Sequence, residues 1–331
     1  MRPSTEMIAL TGAGALTPAA AAEPVLARLA EPVRARAARA ERITQLALVA
    51  GGAALAAAGL EVFEGPPRAR IGVVLGTAFG CFLTNAAYQR RLAEGGPAAA
   101  SPRLFAATVS NAAAGELGIA FRLGGPAVTL TAGAAAGLVA LGHATDLLRA
   151  GRADALVAGG VDAVGDALAR WLADGGLVIG RPPAEAAALL VLEPLAAARA
   201  RGASVLGVIA GHAAGFEPAP TAAGAGEGLG AAVRAALAEA GVVPGEVDVV
   251  VSAAPPQLLA LEERALATAL GTVLPPRVSP KDTLGETFAA TGPLGVLAAL
   301  AEAPRHTSAL VLDVCASGHV AALVARQGAD V

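Results

Sequence analysis

Short apolar runs with strand character alternate along the chain with longer Ala-rich stretches of helical length. The strand candidates are Met7 to Leu10, Ile71 to Leu75, Val128 to Thr131, Ala155 to Ala158, Ala187 to Leu192, Val205 to Gly211, Val247 to Val251 and Ala309 to Val314. Between them, Arg42 to Ala58, Pro102 to Phe121, Ala134 to Ala150, Glu227 to Ala240, Pro256 to Leu270 and Pro293 to Ala301 have the length and composition of helices. Alternation of this kind predicts an α/β fold with mainly parallel strands. The pattern runs twice, which divides the chain into a half over 1–194 and a half over 195–331. Leu195 to Ala200 reads as a helical connector, so the halves are expected to form one body with their sheets back to back around central helices.

Composition narrows the picture. Of the 331 residues, 55% are hydrophobic and only 3% aromatic, so the core must be built from small aliphatic side chains in close contact. The 24 Lys and Arg are scattered and the net charge is -3, which argues against a nucleic-acid partner. Mean hydropathy is high at +0.61. The longest uncharged runs, Ile43 to Leu60, Ile71 to Gln89 and Leu123 to Thr145, are nevertheless interrupted by polar residues or glycines. They suit buried strand-turn-helix units better than a span of about 20 apolar residues. No membrane attachment or export signal is expected, and a cytoplasmic location follows as the default. Two cysteines, Cys81 and Cys315, make no disulfide framework.

Several stretches in register resemble the β-ketoacyl synthases of fatty-acid and polyketide biosynthesis. Thr11-Gly-Ala-Gly-Ala-Leu-Thr-Pro18 is similar to the family's opening strand and turn, and Arg42-Ile-Thr-Gln-Leu-Ala-Leu48 to its first long helix. Ile71 to Gly80 resembles its second strand, Ser101-Pro102 with Asn111-Ala-Ala-Ala-Gly115 the helix lining the acyl pocket, and Gly124 to Ala132 the approach to the nucleophile. Gly151 to Gly160 is similar to the following strand, and Ser279 to Gly292 to the Lys-containing motif that ends in a catalytic histidine. Cys315-Ala-Ser-Gly-His319 falls where the family carries a Gly-Phe-Gly-Gly turn. The resemblance implies a thiolase-like fold, two repeated βαβαβ halves in a five-layered αβαβα arrangement.

It also implies what chemistry has been lost. The family's nucleophilic cysteine falls on Gly133, which has no side chain to attack with. Its two catalytic histidines fall near Ala254 and on Glu286, and a carboxylate has no N–H for a developing enolate oxygen. No catalytic residue is therefore expected at these positions. Cys81 and Cys315 read as small buried residues in glycine turns. His143 reads as a helix-face residue, and His212 and His306 lack acidic or cysteine partners at metal-ligand spacing, so neither metal nor cofactor is expected. Glu262 and Lys281 match family positions that support the site, which suggests a buried charge pair that Glu286 joins. Gly224 to Gly230 lacks dinucleotide-loop spacing and reads as a helix entry.

On this resemblance the chain is expected to be a partner subunit similar to the chain-length factors, bound as a heterodimer to an active ketosynthase and serving an acyl carrier protein and its chain. Pairing would run through Ala127 to Leu130, with Phe105, Ala107, Thr108, Asn111 and His319 shaping a pocket or tunnel. The alternative is a divergent thiolase-fold acyltransferase or decarboxylase using Glu286 or His319 without a covalent cysteine intermediate. A hydrolase elbow at Gly133 to Gly137 is unsupported by its flanks.

Overall fold

The computed structural model describes residues 6–175, 181–302 and 308–327. Among them are ten strands: β1 (Ile8–Leu16), β2 (Ile71–Gly76), β3 (Ala127–Leu130), β4 (Ala155–Asp162), β5 (Ala186–Pro194), β6 (Gly207–Phe216), β7 (Val249–Ser252), β8 (Arg277–Val278), β9 (Ser308–Val314) and β10 (His319–Arg326). The helices of eight or more residues are α1 (Arg42–Ala57), α2 (Phe82–Gly95), α3 (Ala112–Ala120), α4 (Ala136–Arg149), α5 (Asp166–Asp174), α6 (Glu227–Ala240), α7 (Leu259–Leu270) and α8 (Thr291–Glu302).

The strand order is β3-β2-β4-β5-β1-β6-β10-β9-β7-β8. Read outward from the centre, it is the same arrangement twice, with β1 to β5 matched in turn by β6 to β10. Each half has two parallel pairings at its outer end, β2 with β3 and β4, and β7 with β8 and β9. Antiparallel pairings follow toward the middle. The halves meet through an antiparallel β1–β6 contact with register Ile8 to Ile209, Ala9 to Val208 and Leu10 to Gly207. A helix follows the outermost strand of each half, α4 after β3 and α8 after β8.

Three apolar cores account for five layers. Leu46, Leu55 and Leu117 of α1 and α3 pack with Val73, Val157 and Leu189 on the outer face of the first half. Leu229, Val233 and Leu261 of α6 and α7 pack with Val250, Leu312 and Val324 on the outer face of the second. Leu138 and Leu141 of α4 and Val296 and Leu300 of α8 share the central core with Leu10, Leu156, Ile209 and Leu323 from both halves. Burial on both faces explains why these strands read as unbroken apolar runs rather than alternating ones.

The structure departs from the sequence expectation at several elements. The single helix expected over Pro102 to Phe121 is two, a short turn at Pro102–Ala106 and α3. Ser101 caps the first by accepting from the Leu104 amide at 3.3 Å. The Thr108 hydroxyl then donates to the Phe105 carbonyl at 2.7 Å, giving the backbone an alternative to helix. α2 lies in a stretch without a broad apolar stripe, and Thr84 is its only buried residue; α5 is a short amphipathic helix that buries Leu168 and Leu172. β10 is an Ala-rich run whose strand state is settled by pairing on both sides.

Candidate functional site

A cavity of about 200 Å³ opens where the ends of β2, β3, β7 and β9 converge. Gly133 and Ala134 contribute from the β3–α4 turn, and Cys315, Ala316 and Ser317 from the β9–β10 turn. Phe79, Trp171 and Phe288 form an aromatic wall, with Phe79 edge-on to Phe288 at 4.8 Å between ring centres and to Trp171 at 6.4 Å. Pro255, Gln257, Lys281 and Glu286 complete the lining.

Asp162, at the end of β4, fixes this geometry. Its buried carboxylate accepts from the Thr77 hydroxyl at 2.7 Å and from the amides of Ala78, Phe79 and Ala289 at 3.0 to 3.1 Å. One side chain thus ties the turn after β2 to the turn before α8. Burial outweighs these four donors and pushes its pKa up to about 6. The tied turn is conformationally unusual: Phe288 has a left-handed φ of 48°, a region that bulky residues seldom occupy. Gly160 allows the turn to seat, since a Cβ there would come within 1.8 Å of the Ala289 carbonyl.

Lys281 and Glu286 form the charged edge. The Lys281 ammonium donates to Glu286 Oε2 at 2.8 Å, while Oε1 accepts from the Phe288 amide at 3.0 Å. The expected Lys281–Glu262 pair is thereby corrected. Glu262 instead accepts from the Ser252 hydroxyl at 2.9 Å and from Arg277 at 3.4 Å, and Lys281 acts on it only through space. The five-residue spacing of Lys281 and Glu286 on one turn brings them together, whereas Glu262 sits on α7. Burial raises the pKa of Glu262, against the pull of Ser252, Arg277 and Lys281. Asp313 on β9 is fully buried in the same field, and burial pushes its carboxyl up to about 8.

The three positions matched to the family's catalytic residues do come together: Gly133 and Glu286 line the cavity, and Ala254 lies buried just before the lining Pro255. The expected pocket residues do not join them. Phe105 is 62% exposed, Asn111 is exposed, and the Thr108 carbonyl accepts from Cys81 and Asn85 on α2. Ala107 borders a separate groove with Arg36, Arg103 and Glu116. The break between the Pro102 turn and α3 swings this segment to the surface, so within one chain these residues enclose no tunnel. His319 is half-buried beside the cavity, its ring edge-on to Phe216 and its Nδ1 3.0 Å from the Ser317 hydroxyl.

Cys315 is buried, as expected, but not in an inert place. Gly133 has a left-handed φ of 56°, and a Cβ built on it would stand 2.9 Å from Cys315 Sγ. Sequence reading missed this contact, although the spacing of Cys315, Ser317 and His319 on one turn was a signal for it. Asp162, Phe79 and Trp171 carried no such signal. His212 meets Asp146 at 3.2 Å, a bond that holds the Asp146 pKa low. No group of three or more metal-ligating side chains occurs among the described residues, and no helix among them is long and apolar enough to cross a membrane. His306 lies outside the described residues.

Comparison with known proteins decides the family. The model of the β-ketoacyl synthase N-terminal domain matches residues 6–175. The chain belongs to the β-ketoacyl synthase family. It is 33% identical over 281 residues to the tetracenomycin polyketide synthase ketoacyl synthase beta subunit of Streptomyces glaucescens, covering 78% of this chain and 68% of that protein. It is 37% identical over 254 residues to the actinorhodin polyketide β-ketoacyl synthase 2 of Streptomyces coelicolor, covering 70% of this chain but 61% of that relative's length. Among solved structures, the ishigamide ketosynthase/chain length factor superposes with a TM-score of 0.82 at 22% identity, over 98% of this chain and all of that one. A β-ketoacyl synthase from Burkholderia phymatum STM815 gives 0.85 at 19% identity, over 97% and 99%. The fold is thus the thiolase-like fold of the ketosynthases.

Proposed function

We propose that this ketosynthase homologue is a chain-length-factor-like subunit that pairs with an active ketosynthase in type II polyketide, aryl-polyene or fatty-acid-like biosynthesis. The observation that carries the reading is Gly133, a residue without a side chain at the turn where the family's synthases hold their nucleophile, in a cavity whose other family positions are Ala254 and Glu286. Decarboxylative condensation needs a thiol and two imidazoles at those places. The relatives point the same way, since one is named a beta subunit and a superposing structure is titled a ketosynthase/chain length factor.

The surface suits a partner. β3 ends the sheet; the Pro126 carbonyl just before it accepts from the Val73 amide on β2, and its Leu130 carbonyl accepts from the amide of Thr77 just after β2. By alternation, Ala127 and Thr129 direct their backbone groups outward, an open edge ready for strand pairing. Exposed Ile119 on the adjoining α3, with Phe105 and Val109 before it, supplies apolar surface nearby. In such a pair Phe105, Ala107, Thr108 and Asn111 would meet the companion, which is where a tunnel wall could form. An acyl carrier protein would deliver the chain, in the cytoplasm.

The alternative, non-covalent catalysis by Glu286 or His319, has less support: Glu286 is held by Lys281 and the Phe288 amide, and His319 is not part of the cavity lining. Coexpression with a Cys-His-His ketosynthase from the same gene neighbourhood tests the proposal. A stable one-to-one complex is expected, with condensation that needs both chains. A chain that remains alone and condenses malonyl thioesters would overturn it.

A further inference from the structure

The nucleophile missing from position 133 has a substitute in space. Cys315 Sγ lies where a side chain at 133 would begin, 2.9 Å from the Cβ that glycine lacks. The sulfur has therefore been removed from one wall of the cavity and supplied from another, across the Cys315–Ser317 turn. We propose that Cys315 is an acyl-accepting thiol, with Ser317 and His319 as its proton relay.

The geometry supports each part. Cys315 Sγ is 3.0 Å from Ser317 Oγ, and Ser317 Oγ is 3.0 Å from His319 Nδ1. The thiol can pass its proton to the serine oxygen while the serine passes its own to the imidazole, leaving a thiolate that accepts the Ser317 hydroxyl. Ser317 is exposed and His319 half-buried, so the imidazole end of the chain reaches toward solvent while the sulfur stays inside. Cys315 Sγ also has the Ala132 and His319 carbonyls at 3.6 and 3.4 Å, longer contacts than the one to Ser317; Cys81 bonds the Thr108 carbonyl and lies outside the cavity lining. Beside the sulfur, Phe79, Trp171 and Phe288 present apolar surface for an acyl chain. Gln257 also contributes to the lining, and its side-chain oxygen has no hydrogen-bond partner.

The step is a thiol–thioester exchange. The Cys315 thiolate adds to the thioester carbonyl, the carbon–sulfur bond to the carrier breaks, and the departing thiolate takes back the proton held by His319. One thioester and one thiol are consumed and one of each is formed, with no redox partner. The choice of an acyl thioester rests on the synthase reading; the placement of the thiol does not. With Ala254 and Glu286 at the family's histidine positions, the relay loads an acyl group without supplying condensation.

The test is incubation of the full chain, alone and in complex with its ketosynthase, with hexanoyl-N-acetylcysteamine thioester, followed by intact mass and peptide mapping. One hexanoyl group is expected on the Cys315 peptide, absent in Cys315→Ala and retained in Cys81→Ser. His319→Gln is expected to slow acylation about 100-fold. Added imidazole should restore part of that rate. No adduct on Cys315, or a His319→Gln rate equal to that of wild type, would overturn the proposal. Complex formation is scored separately with Cys315→Ala, so a failed acylation with intact pairing removes the thiol's role alone, and failed pairing removes the subunit reading.

Discussion

Gly133 and Cys315 exclude one another: the left-handed backbone at 133 and the sulfur 2.9 Å from its missing Cβ leave room for a side chain on one of the two residues only. Gly133→Ala should destabilise the chain by about 2 kcal/mol, from the left-handed conformation and the overlap together. Cys315→Gly should restore the part due to overlap, and not the part due to φ. Urea unfolding of both single variants and the double variant checks this; additive effects would show that the two residues do not compete for space.

The same exclusion bears on restoring synthase chemistry. Gly133→Cys should give no condensation of malonyl thioesters by this chain, since Ala254 and Glu286 supply neither imidazole and the new side chain meets Cys315. A radiolabelled malonyl assay of the purified variant is sufficient, and measurable turnover would mean that the catalytic positions lie elsewhere.

Lys281 and Glu286 are both buried, so each depends on the other. Glu286→Ala leaves an uncompensated ammonium and should cost about 3 kcal/mol. The double variant Lys281→Met with Glu286→Leu should recover most of that loss, because replacing a buried pair by apolar groups is often neutral. A thermodynamic cycle from chemical denaturation gives the coupling; a double variant no more stable than Glu286→Ala would contradict it.

Asp313 makes stability depend on pH in an unusual direction. Its carboxyl has an ordinary value of 3.8 and is pushed up to about 8 in the folded chain, chiefly by burial. Below 3.8 both states hold the proton and the contribution is fully present; between 3.8 and 8 the folded chain keeps a proton that the unfolded chain releases. Stability should therefore fall as pH rises through that window, by up to about 1.4 kcal/mol per pH unit from this group. Asp162 adds to the fall up to about 6. Asp313→Asn should flatten the profile and be more stable than wild type at pH 8. Unfolding midpoints at pH 5 and pH 8 decide it, and parallel slopes for the two proteins would refute the assignment.

At the β3 edge, Thr129→Pro removes an outward backbone donor while leaving the carbonyls that hold β2 in place. The isolated variant should keep its circular dichroism and lose most of its affinity for the ketosynthase partner in a pull-down. Undiminished capture would move the interface off this edge.

Much of the fold was legible in the chain. β-branched and leucine runs at Ile71, Val247 and Ala309 marked strands because strands buried on both faces need no alternation, the run at Val128 marked the partly buried edge strand β3, and α6 was bounded correctly by Glu227 and the left-handed Gly241 after it. The segment from Pro102 to Phe121 misled because helical composition says nothing of a threonine hydroxyl turned back on its own carbonyl. The Lys281 pairing misled because two carboxylates were available at plausible positions, and only the local turn decides which one the ammonium reaches.

What the sequence determined alone was the family, the repeated α/β pattern and the absence of a side chain at 133, since all three are properties of residue order. What the tertiary structure decided was which groups share the cavity. Residues 133 and 315 are far apart along the chain and meet only because the β3–α4 turn and the β9–β10 turn come together at one end of the two half-sheets. No local pattern encodes that encounter, because it arises from packing α4 and α8 between two halves rather than from either segment's own preference.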